Sequence, residues 1–451
     1  MEETSTKGLS LPGFKKKILN KFSVLILGIS FILLSLFAVN NIPVKYDVMI
    51  YSDANGYYDY LPYTFIYKDL AHINYAVRLP NGNSLNKYTM GVALLQLPFF
   101  LGAHLYSIYN DLPAKGYSFP YSVSVLISVT VYVFLGLLFL YKTLRRKFDQ
   151  IPSFISVIAI FFATNLYYYT FCQPGMSHGF SFFALALFLY RLDFFMKNPK
   201  IKNTLACGIP LALAVLIRPT NILYALLFLF YDVYSFRLLK ERLRFILSKY
   251  KYFLIIILIG ILFYVPQIIY WSYAAGKLTL YGYVDGEGNR ETFKYLANPK
   301  IFKVLFGIES GWMVYTPFFI FFFIGLFWTL FKKIHHALGI LIIFLIILYL
   351  NSSWWTYSFA CSFGYRSLIE YYPLFAIPIA FVFSKIFVRK KAILITSIMF
   401  LLVVFSFFNI RISGFYYKQP CWEEPRWTWV NYNKIINKAF YIKSIEDVKG
   451  Y

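Results

Sequence analysis

Apolar residues in this chain run in long blocks separated by short polar, aromatic or basic stretches. The blocks lie near 22–39, 89–109, 121–141, 152–170, 178–195, 203–218, 220–236, 252–274, 312–331, 337–350, 368–388 and 392–409. A helix that crosses a bilayer needs ~20 predominantly apolar residues. The pattern therefore predicts an all-α polytopic membrane protein with eleven or twelve spans. The first block follows Lys15, Lys16, Lys17 and Lys21 and shows no small-x-small cleavage site, so it is expected to remain as an anchor with its N-terminal side in the cytoplasm.

Basic clusters punctuate the blocks: Lys142 with Arg145, Arg146 and Lys147; Lys197 with Lys200 and Lys202; Arg237 through Lys251; Lys332 with Lys333; and Arg389 with Lys390 and Lys391. Two blocks separate each neighbouring pair, so all five clusters fit on the cytoplasmic side. Three blocks separate the N-terminal lysines from Lys142, an odd number that would put Arg145 and Arg146 outside. The weakest of the three is 89–109, interrupted by Gln96, Pro98 and His104; either it is re-entrant or interfacial, or it spans and the charge rule fails there.

This sidedness divides the chain into a basic N-terminus (1–21), a transmembrane domain (22–409) and an outer tail (410–451), with outer loops at 40–88, 275–311 and 351–367. Any chemistry is then expected at or beyond the outer leaflet. No internal repeat of the kind that marks transporters is evident.

Composition sharpens the picture. Of 451 residues, 59% are apolar, 22% aromatic and 14% charged, which excludes a disordered chain, a secreted disulfide scaffold and a cytosolic enzyme. The net charge of +24 would point to nucleic acid in a soluble protein, but its clustering between apolar blocks follows the positive-inside rule, and no nucleic-acid partner is expected. The four cysteines include no Cys-x-x-Cys, and no Gly-x-x-x-x-Gly-Lys loop is present, so neither a cysteine zinc site nor ATP hydrolysis is expected. A donor substrate must then be lipid-borne or already outside.

Candidate chemistry concentrates in the outer stretches. The first loop reads Tyr51-Ser-Asp53-Ala-Asn-Gly-Tyr57-Tyr58-Asp59-Tyr60. A carboxylate among tyrosines at the membrane surface suits a general base or a divalent-cation ligand, and the rings suit a sugar; a plain interfacial tyrosine belt is the alternative. Lys87 suits a phosphate or snorkels. His178 opens a block after the tight turn Cys172-Gln-Pro-Gly-Met-Ser, and Arg218 is fixed by Pro219 at a hairpin tip; both suit an anion, an acceptor or a structural hydrogen bond. Arg366 and Glu370 stand four apart at a helix head, a spacing that lets them pair on one face, while Gly364 admits close backbone approach. A guanidinium there suits two-point phosphate recognition. Trp354 and Trp355 add aromatic surface. The glycine-rich loop holding Asp285, Glu287, Arg290 and Glu291 suits a lid, the Trp422–Trp429 tail an interfacial anchor or carbohydrate platform, and Cys172, Cys361 and Cys421 permit one disulfide of undetermined pairing.

Taken together, the early acid of the first loop, Lys87-Tyr-x-x-Gly, Gln-Pro-Gly-Met-Ser-His, Ile-Arg-Pro-Thr-Asn, Trp-Trp-x-Tyr-Ser-Phe and Phe-Gly-Tyr-Arg-Ser resemble bacterial GT-C-type integral membrane glycosyltransferases, in the protein mannosyltransferase and aminoarabinose transferase superfamily. The resemblance covers most of residues 20–410. It implies a GT-C-like fold and inverting transfer of a sugar from a polyprenyl-phosphate carrier to a glycan, lipid or protein acceptor at the periplasmic face. It also implies roles. Asp53, with Asp59 second, would be the base or acceptor-orienting acid. Arg366, Lys87 and Arg218 would hold the donor phosphate, and Tyr57, Tyr58, His178, Trp354, Trp355 and Glu370 would meet acceptor or sugar. Relatives carry a tandem acidic pair and a Pro-Pro where this chain has Asp53-Ala-Asn and Lys87-Tyr-Thr, so metal dependence does not transfer, and a divalent cation stays a candidate cofactor only. A transporter or flippase, or a lipid-linked oligosaccharide ligase or polymerase, are the competing readings.

Overall fold

In the computed structural model the described residues are 28–29, 32–33, 49–280, 282–283, 291–359, 362–389, 391–418 and 428–440. The first apolar block lies almost wholly outside them, as do Asp285, Glu287, Arg290, Cys361, Cys421, Trp422 and Trp427.

The stretch 49–88 folds into two short helices, α1 (Asp53–Tyr58) and α2 (Tyr60–Phe65), and a two-stranded hairpin of β1 (Val77–Arg78) and β2 (Ser84–Leu85). Then come α3 (Gly91–Tyr109), α4 (Phe119–Leu144), α5 (Gln150–Phe162), α6 (Leu166–Phe171), α7 (Ser177–Lys197), α8 (Ile201–Ile217), α9 (Leu226–Phe230), α10 (Phe236–Ser248) and α11 (Tyr250–Ala275). The second half holds α12 (Ile301–Phe306), α13 (Trp312–Tyr315), α14 (Ile320–Lys332), α15 (Ala337–Ser353), α16 (Tyr372–Val388), α17 (Ala392–Lys418) and α18 (Trp429–Phe440). Tight three-residue-per-turn segments precede α9 (Pro219–Ala225), α14 (Pro317–Phe319) and α16 (Arg366–Tyr371).

Six of the described helical segments are long and apolar enough to cross a membrane, and five shorter apolar ones accompany them. Burial sorts them. In an apolar eighteen-residue stretch of the spans at Ser177–Lys197 and Arg366–Val388, 78% and 72% of residues are buried, against 17% in the corresponding stretches of Tyr250–Ala275 and Ala392–Tyr417. The first two form the centre and the last two face outward with an apolar surface, as a lipid solvent requires. Prolines lie inside α3, α8, α11 and α16, which membrane helices tolerate because neighbouring groups satisfy the freed carbonyls. Aromatic residues fill the core: Trp312 alone touches the rings of Phe319, Phe322, Phe323, Phe344 and Phe375.

Several blocks differ from the sequence pattern, among them 220–236, which ends as a helix at Phe230, and 312–331, which breaks into α13, a tight turn and α14. The 152–170 block breaks at Ala163 into α5 and α6. The last block runs on to Lys418, since Phe415 and Tyr416 continue its apolar face. The block at 89–109 is one continuous helix, yet both its ends lie on the same side of the bundle. Gly91 abuts the backbone of Ile217, while past its far end Gly116 accepts from the Tyr58 hydroxyl and Lys115 from that of Tyr67. α4 then descends to the opposite end, where Arg146 meets Asp193 at the end of α7. α3 thus packs among the elements built from residues 49–88, and Arg146 lies at the opposite end of the bundle.

Candidate active site

Five separate chain segments meet at the end of the bundle where α7 begins. Asp53 opens α1. Its Oδ2 accepts from Arg366 Nη2 at 2.7 Å and its Oδ1 from the Tyr88 hydroxyl at 2.5 Å. Burial opposes ionisation of Asp53, but the Arg366 guanidinium, the Tyr88 hydroxyl and the charges of Lys87 and Arg218 outweigh it and hold the carboxyl below its ordinary value.

Tyr88 is placed by a dense local network. Its ring meets that of Tyr57 edge-on with centroids 4.8 Å apart, and a Cβ at Gly56 would lie 2.0 Å from it, so only glycine fits there. The Asn86 side chain accepts from the Tyr88 amide and donates to the Gly56 carbonyl, and Trp271 of α11 donates to the Asn86 carbonyl. Lys87 projects to pair with Glu291 in the stretch after α11.

Arg366 starts the tight segment ahead of α16, after a turn at Gly364, whose φ of +61° favours glycine. That turn is stapled from α6 and its cap: Tyr169 accepts from the Phe363 amide, Asn165 donates to the Phe363 carbonyl, and Tyr372 donates to Asn165 at 2.6 Å. The Phe359 ring lies 5.8 Å from the guanidinium.

Beside this pair sits a second one. Glu370 Oε1 lies 3.0 Å from His178 Nδ1 and 3.3 Å from Arg218 Nη1. The Glu370 and His178 side chains are 1% exposed, whereas Arg218 keeps 18% of its surface. His178 Nε2 and Glu370 Oε2 are buried without a hydrogen-bond partner among the described residues. Thr89, next to Tyr88, donates to the Ile217 carbonyl at 2.9 Å and ties the two pairs together.

The expected pairing of Arg366 with Glu370 is therefore replaced by two long-range pairs. The cause is local: at three residues per turn, positions four apart diverge by about a third of a turn, so Arg366 faces Asp53 and Glu370 faces α7 and α8.

A cavity of about 180 Å³ opens beside Asp53, lined by Tyr51, Ser52, Gln173, Gly175, Met176, Phe359 and Arg366. The Pro-Gly turn forms its floor: a Cβ on Gly175 would come within 2.6 Å of Met49 and Ala54.

The other predicted site residues are distributed as follows. Tyr57 is buried against Tyr88 inside the site. Tyr58 turns away and donates to the Gly116 carbonyl. Asp59 accepts at 2.8 Å from Tyr117, whose ring meets that of Tyr58, and burial, with no cation beside it among the described residues to compensate, raises its carboxyl to about 6. Trp354 packs edge-on against Phe293, and Trp355 stands 44% exposed beside Thr292. Cys172 is a buried free thiol. Among the described residues no group of three His, Cys, Asp or Glu side chains is arranged to hold a metal ion. Tyr88, Gln173 and Phe359 were missed by sequence reasoning. Only adjacency to Lys87 marked Tyr88, because its partner stands 35 residues away.

Residues 120–271 match a family model described as dolichyl-phosphate-mannose-protein mannosyltransferase. That stretch holds His178 and Arg218, with Asp53, Lys87, Arg366 and Glu370 outside it. No curated protein matches the chain. Among solved structures it is similar to ArnT from Cupriavidus metallidurans bound to undecaprenyl phosphate, with 14% identity over 78% of this chain and 59% of that one and a TM-score of 0.47. It is also similar to the archaeal oligosaccharyltransferase AglB from Archaeoglobus fulgidus in complex with an inhibitory peptide and a dolichol-phosphate, with 13% identity over 94% of this chain and 56% of that one and a TM-score of 0.44. The chain spans less than two thirds of either protein's length, and both scores lie below 0.5. The family match supports a membrane glycosyltransferase of the GT-C type.

Proposed function

We propose that this protein transfers a sugar from a polyprenyl-phosphate carrier to an acceptor hydroxyl at the periplasmic face of a bacterial inner membrane, with inversion at the anomeric carbon. The observation that carries this reading is the Asp53–Arg366 pair beside the Arg218–Glu370 pair, both arginines keeping part of their surface open. An acid to take a proton and two guanidinium groups to take a phosphate are the parts such a displacement uses.

In the proposed step the bond between the anomeric carbon and the phosphate oxygen breaks, and its electron pair leaves with the phosphate. The acceptor oxygen bonds to that carbon from the opposite face and gives its proton to Asp53. No covalent enzyme intermediate is needed, since a charge-neutralised phosphate is an adequate leaving group. The pairing of Asp53 with Arg366 gives the donor a second role. A phosphate that takes the Arg366 donors leaves Asp53 held by Tyr88 alone, and a buried carboxylate deprived of its counter-charge is a stronger base. Glu370 and His178 orient Arg218, and Lys87 supplies a third cation once released from Glu291. A divalent cation at Asp53 would have to displace Arg366 or share the carboxylate with it.

Mass spectrometry of polyprenyl-phosphate sugars in lipid extracts tests this. One sugar-loaded carrier is expected to accumulate both in cells lacking the protein and in cells making the Asp53→Asn variant, relative to wild type. Identical carrier pools in all three strains, with expression confirmed, would overturn the reading.

A further inference from the structure

At the end of the bundle opposite the site lies a helix that the proposed reaction does not use. α10 carries Arg237, Lys240, Arg242 and Arg244 against one acid, Glu241, and Lys249 and Lys251 follow it directly. None of its residues is buried. At 100° per residue, Phe236, Leu243 and Leu247 fall on one narrow strip, and they are 70%, 45% and 70% exposed. Lys240, Arg244 and Arg237 flank one edge of that strip. The opposite face holds α10 to the protein: Arg242 donates to the Tyr231 carbonyl at 2.9 Å, and Phe245 packs on Phe253 of α11.

An exposed apolar strip with cations along its edge is the pattern of a helix lying in a membrane surface. Its position agrees. α10 leads through Lys249 straight into α11, an apolar span with most of its surface outward, so the strip sits at the level where that span leaves the hydrocarbon. We propose that α10 is a binding surface for anionic phospholipid headgroups of the adjacent leaflet, with Phe236, Leu243 and Leu247 inserted below the headgroups and Lys240, Arg244 and Arg237 contacting the phosphates.

The test is competitive lipid retention by the purified full-length protein, offered an equal mixture of phosphatidylglycerol and phosphatidylcholine and read by native mass spectrometry. Wild type is expected to retain phosphatidylglycerol preferentially. A variant carrying Arg237→Gln, Lys240→Gln and Arg244→Gln is expected to lose that preference on the order of a hundredfold, at about 1 kcal/mol per surface cation. Its thermal midpoint in phosphatidylcholine alone should match wild type, showing an intact fold. Hydrogen exchange on wild type supplies a reading that needs no variant: amides of 236–248 should slow in nanodiscs containing phosphatidylglycerol relative to phosphatidylcholine alone. Equal retention of the two lipids by wild type, an unchanged preference in the triple variant, or unchanged exchange would each overturn the proposal, and the first would favour an acidic protein partner for the helix.

Discussion

Each of the three cations expected to hold phosphate is already paired: Arg366 with Asp53, Arg218 with Glu370 and Lys87 with Glu291. Removing one partner leaves the other buried without its counter-charge, which costs more than the pair contributes. Arg366→Gln should therefore lower stability, and the double variant Asp53→Asn/Arg366→Gln should recover most of that loss by removing the orphaned charge. Catalysis should not recover: Asp53→Asn alone should lower turnover ~10²–10⁴-fold, the range for a general base, and the double variant should be no better. Thermal midpoints and carrier accumulation, measured on the same three variants, separate the two effects. The pH sign follows from the depressed carboxyl of Asp53: its contribution is present above the ordinary carboxylate value and is lost as pH falls through the folded-state value.

Asp59 behaves oppositely. Its carboxyl is raised to about 6 by burial, so the folded protein binds a proton there that the unfolded chain releases above its ordinary value of 3.8. Stability from this residue falls as pH rises between those values and stays lower above them. Asp59→Asn keeps an acceptor for Tyr117 and removes the penalty. It should raise the thermal midpoint at neutral pH, by about 1–3 kcal/mol in stability, with no gain at pH 3. An unchanged midpoint at pH 7 would show that water or another group already solvates the carboxylate.

At the scale of elements, the helices were legible because lipid demands long apolar runs. The partners across the site were not, because nothing in a local window joins residue 53 to 366 or 178 to 370. Most informative is the segment Arg366–Tyr371. Its Arg-x-x-x-Glu spacing reads as a helical pair, but Gly364 and Pro373 confine it to a tight turn with a different period. Gly364 is the point where that geometry is set. Its φ is positive, and a methyl added there would stand only 3.1 Å from Asn165 and from Tyr315, so both backbone and neighbours penalise a side chain. Gly364→Ala should destabilise by about 1–2 kcal/mol and misplace Arg366, lowering turnover at saturating donor as well as donor affinity. A purely structural glycine would lower stability and leave both kinetic quantities intact in the folded fraction.

Across the whole molecule, ionisable groups gather at two ends. One is the site; the other joins Arg146 to Asp193, Tyr231 to Asp193, and His336 to Asp232, with Lys147 3.0 Å from His336. His178 and Asp193 mark the two ends on a single helix, fifteen residues and about 22 Å apart, a separation shorter than a ~30 Å hydrocarbon core. One cluster must then lie below a membrane surface. The opposite end carries the exposed basic helix α10 and the basic stretches at Arg146 and Lys332; with α10 at the headgroups, as proposed above, the site end would be the one below the surface. It is reached through the cavity beside Tyr51. That arrangement suits a reaction between a lipid-borne phosphate and an acceptor arriving from the aqueous side. It predicts an asymmetric labelling pattern in a variant whose native cysteines are replaced. A cysteine at Tyr51, 52% exposed, should react in intact cells with a membrane-impermeant maleimide, and one at Lys200, exposed in the turn after α7, only after the inner membrane is permeabilised. Labelling of both positions in intact cells would refute the two-ended topology. The reverse pattern would place the site on the cytoplasmic face and remove the need for an externally delivered donor.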